Sequence, residues 1–188
     1  MTIRKAHPKD APAISRHILL AMDEILYHFI GENSAEQATL FLIRLISQKA
    51  NQYSYENCWV VDLEHEIVAT AVVYDGAKLL ELREPVANEI KVRFGREFNP
   101  ENETQAGEYY LDCFAVSPHQ QGKGIGSKLL QFLIAEYVYK RNETLGLLVD
   151  KTNPDAKKLY VNLGFEKVGE KTLAGKEMEH LQFTSANK

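Results

Sequence analysis

Apolar residues recur along this chain in two rhythms, and the switches between them outline its elements. Residues 2–6 read as a short first strand, broken by His7-Pro8. Helical spacing follows. Ile14, Ile18, Ala21, Ile25 and Phe29 lie three or four positions apart, which predicts a helix over residues 11–29 with one buried stripe. Asp10 stands where an N-cap belongs, Pro12 falls in the first turn, and Gly31 ends the pattern. Ser34 to Gln37 has the capping-box form S-x-x-Q. It predicts a second helix with Leu40, Phe41, Ile43, Leu45 and Ile46 on its apolar face.

The rhythm then shortens. Residues 58–63 and 67–74 are apolar and β-branched around Glu64-His65-Glu66, which reads as an antiparallel hairpin. Residues 75–107 form a long connection with partial helix at 79–82 and 89–94, broken near Pro85. A strong strand, YYLDCFAV, follows at 109–116 and stops at Ser117-Pro118. A glycine-rich turn leads into a helix to about Lys140, with Leu129, Leu130, Leu133, Ile134, Tyr137 and Val138 on its apolar face. Residues 144–149 read as a buried strand. Asn153-Pro154 opens another helix, which Gly164 closes. Residues 165–168 and 177–183 make a last strand pair around Ala174-Gly175-Lys176. The whole is one mixed α/β domain spanning residues 1–188, with no internal repeat.

Composition sets limits on function. The chain has 188 residues, 45% hydrophobic and 26% charged, which excludes wholesale disorder. Its net charge is −4, so it lacks the basic excess usual in duplex-binding proteins, and no nucleic-acid partner is expected. No stretch approaches the ~18 apolar residues of a membrane helix, and MTIRKAHPKD lacks the apolar core of a signal peptide. Cys58 and Cys113 stand far apart without metal-ligand spacing. Both read as buried small hydrophobes, no metal site is expected, and a reduced cytoplasmic setting is the default.

The chemically informative segment is Gln121-Gly122-Lys123-Gly124-Ile125-Gly126-Ser127. It joins a strand to a helix. A helix start leaves backbone N–H groups unpaired and pointing one way, and glycines let an anion approach them closely. A Walker loop needs G-x-x-x-x-G-K-[ST], which fails here. The dinucleotide fingerprint G-x-G-x-x-G/A fails at Ser127. The bland alternative is a tight strand-to-helix turn without a ligand.

Gln121 to Gly126 fits the Q/R-x-x-G-x-G/A signature of the GNAT superfamily of N-acetyltransferases, and the chain resembles that family on both sides of the turn. Leu111 to Pro118 resembles the strand before it. Asn153, Ala156, Tyr160 and Gly164-Phe165 match N-x-x-A-x-x-x-Y-x-x-x-G-F. The resemblance spans about residues 109–165, and the element order of the whole chain is similar too. It implies a GNAT-like acyl-CoA N-acyltransferase fold: a mixed, mostly antiparallel sheet flanked by helices, with the fourth and fifth strands splayed apart around acetyl-CoA as co-substrate.

Carried over residue by residue, the resemblance implies that backbone around Phe114, Ala115 and Val116 holds the pantetheine arm. Gln121, Gly122, Lys123, Gly124, Ile125, Gly126 and Ser127 would cradle the pyrophosphate. Lys123 could equally be a solvated lysine. Asn153 would cap its helix, contact pantetheine, or do both. Tyr160 would be the general acid that protonates the departing thiolate. The general base is less constrained. Asp112 is the first candidate, as the carboxylate inside the fourth strand; Glu81, Glu84 or a water chain are the alternatives. The family often places this carboxylate nearer Tyr110.

The proton balance shows why a base matters. An alkylammonium with pKa near 10.4 is about 3.4 units from its nucleophilic form at neutral pH, roughly 4.6 kcal/mol. Positioned acid or base help is worth about 10²–10⁴-fold each. Cys113 as an acetyl carrier lacks a paired histidine. The acceptor implied is a primary amine of a small molecule or peptide, framed by residues 27–34 and 172–176. The 75–107 connection reads as a substrate lid or an inert elaboration, and a homodimer is compatible. The alternative function is a CoA-binding or sensing module with the same fold and little transfer.

Overall fold

In this computed structural model, which describes residues 1–186, the two apolar rhythms resolve into seven strands and five α-helices. The order is β1 (Thr2–Lys5), α1 (Ala11–Ile30), α2 (Ala35–Ile46), β2 (Cys58–Leu63), β3 (Glu66–Asp75), α3 (Leu79–Phe94), β4 (Tyr109–Val116), α4 (Ile125–Leu133), β5 (Leu145–Asp150), α5 (Pro154–Asn162), β6 (Glu166–Leu173) and β7 (Lys176–Phe183). One sheet runs β1-β2-β3-β4-β5-β7-β6. Every neighbouring pair is antiparallel except β4 and β5, which are parallel. No helix among the described residues is long and apolar enough to cross a membrane.

The sheet divides the interior in two. Ile14, Ile18, Phe41, Leu45, Leu82, Val86 and Ile90 from α1, α2 and α3 pack on one face. Leu129, Leu130 and Leu133 of α4 and Tyr160 of α5 pack on the other. Both cysteines are free and buried. Two of the expected helix caps form: Ser34 Oγ accepts from Gln37 N–H at 3.2 Å, and Asn153 Oδ1 accepts from Ala156 N–H at 3.1 Å. Asp10 behaves differently. Its carboxylate accepts from His7 N–H and from Arg4, and makes no cap bond to α1. On α2, Leu42 is buried and Leu40 exposed, the reverse of what a stripe through Leu40 requires.

Three further departures matter for the site. First, α1 is broken at Met22, whose backbone (φ −151°, ψ 37°) is not helical. Ala21, just before the break, is exposed, while Ile25 and Phe29 after it are buried. Second, α3 runs through Pro85. Leu79, Leu82, Val86 and Ile90 form a buried stripe at helical spacing, and packing outweighs the lost hydrogen bond. The Gln52 N–H bonds the Leu82 carbonyl at 2.9 Å, beside the Glu81 carbonyl that the proline leaves without its usual donor. Third, α4 does not stay α-helical to Lys140; residues 134–139 widen into a π-helix.

The rest of the connection is a packed strap. The Arg83 guanidinium donates to the Pro100 and Glu101 carbonyls and to Asn102 Oδ1, and pairs with Glu103. Phe98 packs edge-on against Phe29, with ring centroids 4.9 Å apart.

A buried carboxylate pins the root of β4. Glu108 accepts from Thr104 Oγ1 (2.6 Å), His180 Nε2 (2.8 Å) and Gln182 Nε2 (2.8 Å). Burial works against its charge, but these donors outweigh it and hold Glu108 below the usual carboxylate range. Glu108 lies directly over Gly146 of β5, where a Cβ would stand 1.8 Å from Glu108 Oε2. Gly146→Ala is therefore expected to cost about 1–3 kcal/mol or more. The readout is the urea-unfolding midpoint, and an unchanged midpoint would contradict this close approach.

Candidate active site

Beyond Glu108 the two parallel strands part. They pair only through Tyr109, Tyr110 and Leu111 against Leu145, Gly146 and Leu147. Further along, β4 stays on β3 to Val116 and β5 stays on β7 to Asp150. A cleft of about 1070 Å³ opens between them. Its walls include Asp112, Phe114, Ala115, Val116, Gln121, Gly122, Gly124, Ile125, Gly126, Ser127, Asn153 and Tyr160. Of the residues that the resemblance assigns to the cofactor, Lys123 alone is not in this wall among those described; its ammonium turns to Gln120 Oε1 at 3.0 Å.

At one end lies the glycine turn. Gly122 (φ 75°) and Gly124 (φ 76°) adopt the left-handed backbone that L side chains rarely take. Nothing lies within 4 Å of where their Cβ atoms would be, so the backbone is open to a ligand. Gly124 caps α4 without a side-chain hydrogen bond, which leaves the first N–H groups of the helix unclaimed by a cap. Gly126 packs on Phe114 and Val116, where a Cβ would sit 3.4 Å from each. Gln121 Nε2 donates to the Val116 carbonyl at 3.1 Å and ties the turn to the strand end. A diphosphate fits this cradle, because oriented N–H groups meet it without side-chain intrusion.

Tyr160 lines the same cleft. Its ring packs edge-on to Phe114 (6.4 Å) and Phe165 (5.9 Å). Burial pushes its phenol well above the ordinary value, so it holds its proton at neutral pH. Among the described residues its hydroxyl has no hydrogen-bond partner. A protonated donor on the cleft wall is what a departing thiolate needs.

Asp112 lies at a β-bulge. The β3–β4 register passes from Val72↔Cys113 to Val73↔Leu111 and skips Asp112. Strict alternation would put Tyr110, Asp112 and Phe114 on one face. The bulge separates them: Tyr110 and Cys113 join the core under α1 and α2, while Leu111 and Phe114 join the core under α4 and α5. Asp112 turns toward Tyr74 and Gln52, with Oδ1 3.4 Å from each donor. Its Oδ2 is buried and has no partner among the described residues. Burial first, and the facing Glu103 carboxylate second, push its carboxyl up to about 7, against the Gln52 and Tyr74 hydrogen bonds and the Arg83 charge.

The alternatives named from sequence fall elsewhere. Glu81 and Glu84 are exposed on α3 and do not line the cleft. Glu103 is the buried carboxylate beside Asp112, yet nothing in the polar run 99–103 marks it. No residue of 75–107 lines the cleft among those described, so the connection meets the site through Glu103. Residues 27–34 also stay outside. The break in α1 brings Leu20 to Ile25 into the wall instead, opposite Leu173 and Lys176 of the last hairpin. Lys176 pairs with Glu24 and approaches Asp150 at 3.4 Å. The Cys113 thiol is pushed well above its ordinary value by burial, which leaves it unreactive.

Known proteins share this fold. The family model for the acetyltransferase (GNAT) family matches residues 23–165. A solved acetyltransferase structure is 32% identical, covers 98% of this chain and 99% of its own, and superposes with a TM-score of 0.80. An N-acetyltransferase from Staphylococcus aureus Mu50 is 22% identical, covers 97% and 100%, and shares the fold at a TM-score of 0.86. A probable spermine N(1)-acetyltransferase of Bacillus subtilis subsp. natto is 33% identical over 84 residues, 44% of this chain. An acetyltransferase of Agrobacterium fabrum is 35% identical over 66 residues, 35% of this chain. The matched segments span about half the length of these two relatives, 53% and 47%. The chain belongs to the acetyltransferase (GNAT) family.

Proposed function

We propose that the protein transfers an acetyl group from acetyl-CoA to a primary amine by direct attack of the amine on the thioester. The observation that carries this reading is the single cleft that contains the anion cradle, a protonated tyrosine and a carboxyl poised near neutrality. Acetyl-CoA, as co-substrate, supplies an activated acyl group with a thiolate leaving group.

The chain's own residues divide the remaining work. The turn from Gly122 to Ser127 binds the diphosphate, and the unpaired edge of β4 from Phe114 to Val116 orients the pantetheine arm. Asp112 takes a proton from the substrate ammonium. The freed nitrogen pair forms the C–N bond, the C–S bond breaks onto sulfur, and Tyr160 gives its proton to that sulfur. The second nitrogen proton passes to water and Tyr160 is recharged from solvent. The net result is an amide, a free thiol and one proton.

The acceptor end favours a cationic amine. Asp23, Glu24 and Asp150 line it, and Lys176, the one lysine there among the described residues, is already paired. The name of the spermine-acetylating relative points the same way, to a polyamine.

Titration calorimetry with acetyl-CoA tests the cradle. Saturable one-site binding is expected, and Gly124→Val should weaken it by about tenfold or more, since about 1.4 kcal/mol of lost contact suffices. A β-branched residue disfavours the φ that the cradle requires. Unaltered affinity would reject the cradle. Tight binding without amine-dependent thiol release would favour the sensing module.

A further inference from the structure

The strap that follows α3 adds a second carboxylate to the cluster behind Asp112. Glu103 is buried, one carboxylate oxygen held by Arg83 and the other facing Gln52 Nε2 (2.7 Å) and Tyr74 OH (3.2 Å). The same two donors reach Asp112 Oδ1 at 3.4 Å. The Tyr74 hydroxyl has one proton for two carboxyl oxygens. The Gln52 amide has two protons for three acceptors, because Tyr74 OH also lies 3.1 Å away. The cluster is therefore short of donors. Glu103 has a cation and two donors. Asp112 has only shared donors and one bare oxygen.

We propose that Glu103 is a positioning residue for acyl transfer: carried behind Asp112 by the strap and fixed by Arg83, it faces Asp112 across the shared donors Gln52 and Tyr74 and strengthens Asp112 as the proton acceptor. This inference rests on the acetyl-transfer reading above. Glu103 itself is not the base, because its oxygens are occupied and it does not line the cleft. Asp112 does line it. An ordinary aspartate, with pKa near 3.9, is a poor match for an alkylammonium near 10.4; a facing like charge narrows that gap. In the step, one ammonium N–H bond breaks, an O–H bond forms on Asp112, and the nitrogen pair goes to the acetyl carbon.

Other groups face Asp112 and set the background. Tyr53, Tyr74 and Tyr110 are buried phenols pushed well above their ordinary value by burial, so they stay neutral. Burial likewise raises the Cys58 and Cys113 thiols. Arg83 is the one cation in the buried cluster among the described residues and opposes the effect of Glu103. On the cleft side stand Asp23, Glu24 and Asp150, with Lys176 between the last two.

The test is a ¹³C-carboxyl NMR titration of Asp112 in the full chain, with the pH profile of kcat/KM for acetyl-CoA and spermine. Glu103→Gln removes the like charge. It should move the Asp112 titration and the acid limb of kcat/KM down together by about one pH unit. Tyr74→Phe leaves the Arg83–Glu103 pair intact and removes a donor from Asp112, so both should move up. Tyr74→Phe also keeps the test open should Glu103→Gln fail to fold. A structural role alone would lower stability and leave the limb in place. An Asp112 titration that does not move in either folded variant overturns the inference, as does a moved titration with a fixed limb. If the NMR shifts appear but the wild-type chain releases no thiol with any amine, the pairing stands and the acetyl-transfer reading falls.

Discussion

Tyr160→Phe is expected to lower turnover by about 10²–10⁴-fold, the usual worth of a positioned general acid, while acetyl-CoA affinity stays near the wild-type value. The asymmetry follows from the packing. The ring fills a place between Phe114 and Phe165, and phenylalanine keeps that contact. What is lost is one hydroxyl with no protein partner among the described residues, so no buried group is stranded and the fold should be intact. Burial keeps this phenol protonated across the working range, so it can donate when charge develops on sulfur. Steady-state kinetics with thiol detection, beside calorimetric titration, separates the two effects. Equal losses in affinity and turnover would make Tyr160 a wall residue; unchanged turnover would remove it from the chemistry.

Asp112→Asn should have a loss of similar size near neutral pH, about 10²–10⁴-fold in kcat/KM. The amide keeps the shape of the side chain and an oxygen for Gln52 and Tyr74, but cannot take a proton. The sign of the pH dependence is fixed by the raised carboxyl. With Asp112 titrating near 7, wild-type kcat/KM should fall as pH drops through that value, because the protonated form is no base. The variant should lack this limb. At high pH, where free amine is plentiful, the difference between variant and wild type should shrink. A loss below tenfold with the limb retained would assign the proton to water or another carboxylate.

Much of this site could be read from residue order because it is built from local signals. Asn153-Pro154, Gly164 and Ser34 act within a few residues of themselves, and the glycine turn carries its backbone geometry in its own composition. The strands at 58–63 and 109–116 declare themselves by apolar density. What stayed hidden is tertiary. Nothing local marks the break in α1 at Met22, since no glycine or proline is present there. The bulge at Asp112 depends on the β3 register, so alternation misassigned Phe114. Pro85 looked like a stop because its cost is local, whereas the stripe from Leu79 to Ile90 that overrides it is a packing term. Glu103 is the clearest case. A glutamate in a polar run reads as solvent-exposed, and only the fold of the strap brings it against Arg83, Gln52 and Tyr74.

The expected effects fall into two groups. The cradle, the parted strands and Tyr160 lie within residues 109–165. Glu103 and Arg83 lie on the connection at 75–107. Substitutions in the first group should change binding or turnover for any amine, and substitutions in the second should change how rate depends on pH.

Acetyl transfer to an amine within one cleft should be visible as thiol release in a single turnover. Enzyme is mixed with acetyl-CoA in the presence and absence of spermine or a simple diamine. Release should depend on the amine, yield acetylated amine in equal amount, and collapse in Tyr160→Phe. Acetyl-CoA that binds yet releases no thiol with any primary amine would contradict it.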